Sequence, residues 1–358
     1  MALLFVFKLS CYFAPLLTLI IFLNPYANGE DIIKQENGCN LFQGSWVFDN
    51  TYPLYDASNC PFVSSDWNCH ARPGKDYLKY RWKPDGCDLP SFNGVDFLQR
   101  FRGKKIMFVG DSLSNNQWQS LTCMLHTAVP NSKYTSSKRG QLSTFSLPEY
   151  GILIMRFTIT THFFVDLVTE NVGRVLKLNS ISAGNQWLGV DILIFNSYHW
   201  WLHQGKLQPW DYLQVGNTLS KDMDRMAAYK IGLTTWAKWV DSNINPLKTR
   251  VFFQGISATH YHGIDWNEPK VNNCRGQTKP IGGSNYPGNH YPREAVLKSV
   301  LGSMKKPVSL LDIALLTQLR KNGHPSQYSS TSFDCSHWCL ASVPDSWNQL
   351  LYTILTQK

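Results

Sequence analysis

The chain has 358 residues, 43% hydrophobic and 16% charged, with a formal net charge of +9. That length suits one large or two small globular domains, and 13 Trp, 16 Tyr and 19 Phe set against so few charges exclude a disordered chain. The 24 Gly and 18 Pro follow no period and no heptad run is visible, which excludes collagen-like and coiled-coil architectures.

In chain order, residues 1–29 come first, nearly all apolar up to Leu23, with Lys8 as the single charged residue. This is an export segment, read either as a signal peptide cleaved near Gly29 or as a signal anchor, since a span needs about 20 apolar residues. Residues 30–38, EDIIKQENG, form a short polar linker. A Cys- and Trp-rich stretch, 39–90, follows with little periodicity. It cannot bury much core by itself, so it is expected to wrap on the main body and be stapled there. The remainder, 91–358, alternates short apolar runs with helix-like spacing. Strands are expected at 104–110, 151–157, 190–196, 250–255 and 307–313, and helices at 113–126, 218–243 and 292–303. Such alternation argues an α/β fold with a mostly parallel central sheet covered on both faces. Residues 131–146, 272–292 and 321–333 read as long loops, several of them leaving strand ends, where ligands bind in α/β sheets.

Cys11 lies in the export segment, leaving Cys39, Cys60, Cys69, Cys87, Cys123, Cys274, Cys335 and Cys339. In an oxidising compartment these are expected to form disulfides, and eight cysteines allow on the order of a hundred pairings. A zinc site from Cys335, Cys339 and His337 lacks a second close ligand pair and is set aside. The mild basic excess comes without a dense Lys/Arg run or a nucleic-acid module. It reads as a solubilising surface that an acidic glycan would also suit, and nucleic-acid binding is excluded. No Asn-x-Ser/Thr sequon occurs, so N-glycosylation is not expected.

The sharpest local feature is IMFVGDSLSNNQW, a strand ending in Gly110-Asp111-Ser112 that opens directly into a helix. A serine at such a turn has backbone N–H groups and the positive helix end beside it, which stabilise an alkoxide and a developing oxyanion. Against this stands a purely capping role for Asp111 or Ser112. A serine nucleophile needs a base held by a carboxylate. FDCSHWC supplies both: Asp334 and His337 are three apart, a spacing that on a helical turn shares one face, with Cys335 and Cys339 to clamp the loop. Asn196, at the end of VDILIFN, is a candidate oxyanion donor. His199, Trp200 and Trp201 follow it and are read as core or loop anchors, with sugar stacking as the alternative. His260 and His262 lack a third ligand and are read as surface or packing residues, and Asp265 and Glu268 as solvated.

GDSLSNNQW, FNSYHWW, GISATHYHGIDWNEP and DCSHWC, in this order behind CNLFQGSWVFDNTYPLYDASNCPF, resemble the plant trichome birefringence-like family. The resemblance runs from Cys39 to the C-terminus. It implies an SGNH-hydrolase-like sandwich with the Cys-rich segment wrapped on it by disulfides, paired Cys39–Cys87, Cys60–Cys123, Cys69–Cys339 and Cys274–Cys335. It also implies O-acetylation of a plant cell-wall polysaccharide such as xylan, mannan, xyloglucan or pectin, in the Golgi lumen as a single-pass type II membrane protein or, alternatively, secreted to the wall. A Ser112, His337 and Asp334 triad would form an acetyl-serine intermediate, with Gly110, Asp111 and Asn196 as support. No metal or bound cofactor is implied, but an acetyl donor of unknown identity, supplied by the secretory pathway, is. Two departures from many relatives are noted: Asn115 in place of Arg, and Ser197-Tyr198 in place of Thr-Gly, which sets a phenol beside Asn196 and adds Tyr198 to the candidate substrate contacts. The same triad serves an acetylesterase, and a non-catalytic protein bridging pectin and other wall polymers is a third reading.

Overall fold

A computed structural model describes residues 39–159, 162–288, 292–330 and 332–357. The expected export segment 1–29 and linker 30–38 lie outside the described residues. Among the described residues no helix is long and apolar enough to cross a membrane.

The fold is built on one seven-stranded mixed sheet. In chain order its strands are β3 (Lys105–Gly110), β4 (Thr135–Arg139), β5 (Leu142–Leu147), β6 (Ile152–Thr158), β9 (Ile192–Asn196), β12 (Arg250–Gln254) and β13 (Ser309–Leu311). Their spatial order is β13-β12-β9-β3-β6-β5-β4, with the first five mutually parallel, β5 antiparallel to β6 and β4 antiparallel to β5. The strands read as continuous apolar runs because both faces are covered. Ile106 and Phe108 of β3, Ile152 and Ile154 of β6, and Ile192 and Ile194 of β9 enter one core. Their alternates Met107, Val109, Met155, Phe157, Leu193 and Phe195 enter the other.

The first core is closed by α1 (Gly94–Arg100), α2 (Ser112–Ala128), α5 (Ala314–Gln318) and α6 (Val343–Thr356). The second is closed by α3 (Arg225–Asn243), α4 (Pro292–Gly302) and a smaller sheet of β7 (Asp166–Glu170), β8 (Gly173–Lys177), β10 (Tyr212–Val215) and β11 (Thr218–Ser220). The Cys-rich segment forms a hairpin of β1 (Gly44–Phe48) and β2 (Tyr80–Pro84) and joins the first core through Leu41, Trp46 and Trp82. Trp46 Nε1 donates to Leu316 O at 2.8 Å. The buried Arg320 guanidinium lies over the Trp46 and Tyr80 rings at 4.7 and 5.0 Å, and burial pushes its pKa down to about 9.

All eight cysteines are bridged as the resemblance implies: Cys39–Cys87, Cys60–Cys123, Cys69–Cys339 and Cys274–Cys335, with Cα–Cα distances of 5.7–5.9 Å. Cys335 and Cys339 are thereby removed as zinc ligands.

The structure corrects four local readings. Residues 131–146 are not a loop: 135–139 and 142–147 pair as a hairpin at the sheet edge, because β5 registers on β6. The helix expected at 218–243 begins at Arg225, after the short strand Thr218–Ser220, where Asp224 caps it by accepting the Ala227 N–H at 2.8 Å. The C-terminal helix α6 was not expected, although Val343, Trp347, Leu350, Leu351, Ile354 and Leu355 carry a helical period and all bury in the first core. Glu268 is not simply solvated: it accepts from Lys321 Nζ at 2.5 Å and from Trp266 Nε1 at 2.9 Å.

Candidate active site

The site forms where β3 and β9 end. Gly110 and Asn196 are register partners across these strands. A Cβ on Gly110 would sit 2.5 Å from Asn196 O and 2.9 Å from Ser114 Cβ, so only glycine lets the strand end pack against both β9 and the first turn of α2. Asp111 is buried and takes the capping role, accepting the Leu113 N–H at 2.9 Å. Ser112 is thus left as the first helical residue, half-buried, with its hydroxyl unused for capping. It stands at the positive end of a 17-residue helix.

Asp334 and His337 meet directly. His337 Nδ1–H donates to Asp334 Oδ2 at 2.7 Å. The expected helical turn is not formed. Instead the Asp334 Oδ1 accepts the Ser336 and His337 N–H groups at 2.8 and 3.1 Å, a side-chain-closed turn that brings residues three apart together without a helix. Burial raises the Asp334 carboxyl pKa, but the His337 hydrogen bond and charge and the two N–H groups win and hold it well below the usual carboxylate range. It is a carboxylate at any working pH. His337 Nε2 is buried and has no hydrogen-bond partner among the described residues.

This loop is fastened to α2 one turn from Ser112. Asn116, fully buried, donates from Nδ2 to Trp338 O at 3.1 Å and accepts the Trp338 N–H at 2.9 Å. Ser112 and Asn116 are four apart in α2 and share a face, so the anchoring brings the His337 loop to the face that carries Ser112. The Cys-rich segment supplies the other side: the Trp67 ring stacks on the His337 imidazole at 5.3 Å between centroids and 26° between planes. Leu340 N–H donates to Trp67 O at 2.8 Å, and Cys69–Cys339 closes the same junction covalently.

Asn196 is 4% exposed, and its Oδ1 has no partner among the described residues. Of the aromatic residues after it, Tyr198 and Trp201 are core. Tyr198 packs on Tyr229 under the Arg293 guanidinium and does not line a mouth beside Asn196, because its side chain turns into the second core. Trp201 Nε1 donates to Ser197 Oγ at 3.0 Å. His199 and Trp200 keep surface. His199 Nε2 is 2.9 Å from Ser257 O, and Trp200 lies flat on His162 with centroids 3.4 Å apart. Burial lowers the His199 pKa and the nearby Asp111 opposes this. His260 is a buried packing residue and His262 is exposed.

Against known proteins, a family described as "GDSL/SGNH-like Acyl-Esterase family found in Pmr5 and Cas1p" matches residues 89–354, and the "PMR5 N terminal Domain" matches 37–88. Protein trichome birefringence-like 42 of Arabidopsis thaliana is 55% identical over 330 residues, covering 91% of this chain and 91% of that protein. The chain belongs to the trichome birefringence-like family. Protein trichome birefringence-like 38 of the same plant is 53% identical, over 90% of this chain and 85% of its own length. Protein trichome birefringence is 38% identical over 89% of this chain and 56% of its own length. Family and SGNH-like domain make this trichome birefringence-like chain an acyl-esterase or acyltransferase.

Several residues of the site had no signal in the sequence. Trp67 is one Trp among 13, and only the distant Cys69–Cys339 bridge carries it to His337. Asn116 sits in a polar stretch that looks like an exposed helix face but is fully buried against the Trp338 backbone. Arg156 lies in the second half of β6, near Asp111; burial pushes its pKa down to about 10, which Asp111 opposes. His324 lies in the stretch 321–333, where nothing along the sequence marks it.

Proposed function

We propose that this protein is an O-acetyltransferase that acetylates sugar hydroxyls of a plant cell-wall polysaccharide through an acetyl-Ser112 intermediate. The observation that carries the reading is the 2.7 Å Asp334–His337 pair, whose Nε2 is buried and unpartnered, on a loop bonded to α2 one turn from Ser112. Ser112 Oγ attacks the acetyl carbonyl carbon of the donor and passes its proton to His337 Nε2. The carbonyl oxygen becomes an oxyanion facing the N–H groups that open α2 and the Asn196 amide. The bond between acetyl and donor then breaks, and the leaving donor group takes the proton from Nε2. In the second half a sugar hydroxyl gives its proton to Nε2 and attacks the acetyl carbon. The Oγ–acyl bond breaks and Oγ recovers the proton. Asp334 stays ionised throughout, holding the proton on Nδ1 and offsetting the imidazolium charge.

The acceptor is a polysaccharide such as xylan or pectin, the donor is supplied in the secretory pathway, and the protein works in the Golgi lumen on its N-terminal anchor. Support for transfer over hydrolysis comes from the family relationship. The test is turnover with an acetyl donor and a panel of xylan, mannan and pectin oligosaccharides. Acetylated oligosaccharide is expected from the parent, with Ser112→Ala and His337→Ala each losing it by at least about 10³-fold. Acetate release without labelled glycan would make the protein an esterase, and losses below tenfold would overturn the assignment of roles.

A further inference from the structure

Against the backbone of His337 lies a second pair of histidines that the chemistry above does not use. His324 is 1% exposed and His260 fully buried. His324 Nδ1 is 2.6 Å from His337 O, His324 Nε2 is 2.7 Å from His260 Nδ1, and His260 Nε2 is 3.0 Å from Gln318 O. Both rings are held rigidly. His324 stacks on Trp338 with centroids 4.0 Å apart, and His260 packs edge-on against Trp266 at 5.1 Å. Backbone contacts fix the same residues: His260 N–H donates to Cys335 O at 2.9 Å, and His324 O accepts from the Arg72 guanidinium at 3.0 Å.

We propose that His324 is a positioning residue for the catalytic base, with its Nδ1–H gripping the His337 carbonyl and His260 fixing the tautomer that makes this possible. The inference rests on the role given to His337 above. The two terminal carbonyls can only accept, so each contact with them needs a proton on the ring nitrogen. Two neutral imidazoles carry one N–H each, and three contacts compete for them. The two shortest contacts take them. His324 Nδ1–H points at His337 O, which leaves Nε2 as an acceptor, and His260 Nδ1–H fills that acceptor.

A third proton would serve Gln318 O, but burial opposes it, pushing the His260 pKa down to about 4 and holding that of His324 well below the ordinary imidazole value, the latter with help from His260. Among the charged and titratable groups around the pair, Lys321 disfavours a proton on His260, Asp334 and His337 act on His324 in opposite senses, and the Arg72 guanidinium meets the His324 carbonyl. Across the neutral range the pair is therefore an uncharged clamp of fixed tautomer. It holds the carbonyl of the residue whose imidazole and N–H Asp334 holds.

The test separates the two nitrogens. Asparagine places an amide N–H where Nδ1 was, and glutamine where Nε2 was. His324→Asn is expected to keep kcat within a few-fold of the parent, while His324→Gln and His324→Ala lose about 10- to 100-fold in kcat with KM little changed. A purely structural role would instead make the Asn and Gln variants fall together in step with their melting temperatures, and that result would overturn the proposal. Nitrogen-15 imidazole spectra of the parent give a readout free of activity. A single Nδ1-protonated signal for His324, lost in His260→Ala, supports the clamp, and an Nε2-protonated His324 refutes it. If turnover survives Ser112→Ala, the catalytic reading fails by itself, while the tautomer of His324 still decides whether the clamp exists.

Discussion

Replacing Asn116 by alanine tests how the His337 loop is held. The amide makes two hydrogen bonds, and both partners are backbone groups of the fully buried Trp338. Alanine leaves that N–H and that C=O without partners in a place water does not reach. Each stranded group costs about 1–3 kcal/mol, so the variant is expected to lose about 2–6 kcal/mol. A domain near the middle of the ordinary range, about 10 kcal/mol, survives such a loss at room temperature, and Cys69–Cys339 and Cys274–Cys335 still tether the loop. Guanidinium unfolding would read the loss as a lower midpoint at unchanged slope. Because the freed loop carries His337, kcat is expected to fall more than about tenfold with KM nearly constant. Asn116→Asp keeps the acceptor for the Trp338 N–H but sets oxygen against oxygen at the carbonyl, so it rescues less than half. A stability loss under about 1 kcal/mol, or a full loss with kcat untouched, would refute the reasoning.

Asp345 predicts an unusual pH dependence. Its buried carboxyl accepts from Ser120 Oγ at 2.6 Å and Tyr55 OH at 3.1 Å, and burial outweighs these bonds to push its pKa up to about 7. The folded chain therefore keeps a proton that the unfolded chain has released above its ordinary value of 3.8. The stability it contributes is full below that value and is lost as pH rises to about 7, by up to about 4 kcal/mol. Asp345→Asn keeps the acceptor and is expected to remove that slope. Unfolding midpoints of parent and variant between pH 4 and 8 would check this, and parallel curves would contradict it. Trp67→Ala removes the ring stacked on His337, worth about 0.5–1.5 kcal/mol, and is expected to lower kcat roughly 2- to 13-fold, with Trp67→Phe close to the parent. Equal losses for both variants would show that the ring's stacking does not matter.

The parallel strands were legible because their apolar runs are buried on both faces; the edge was not. Thr135–Arg139 is exposed throughout and carries no apolar alternation, so only its pairing with β5 makes it a strand. The small sheet of β7, β8, β10 and β11 escaped for a related reason: it packs on the second core through few residues per strand, with Leu176 and Leu213 fully inside. Within the site, Gly110-Asp111-Ser112 and the Asp334–His337 spacing could be read because each is local. Trp67, Asn116, His260 and His324 could not. Their contacts join residues 13 to 270 positions apart, and nothing along the chain marks the partner.

The central claim is a covalent acetyl on Ser112. The most direct measurement is intact and peptide mass spectrometry of the purified protein, quenched in acid after brief exposure to an activated acetyl ester. The mass of one acetyl group is expected on the peptide holding Ser112, accumulating when acceptor is absent, discharged when the right oligosaccharide is added, and missing in Ser112→Ala. An acetyl found on another residue, or turnover with no adduct at any quench time and full activity in Ser112→Ala, would contradict it.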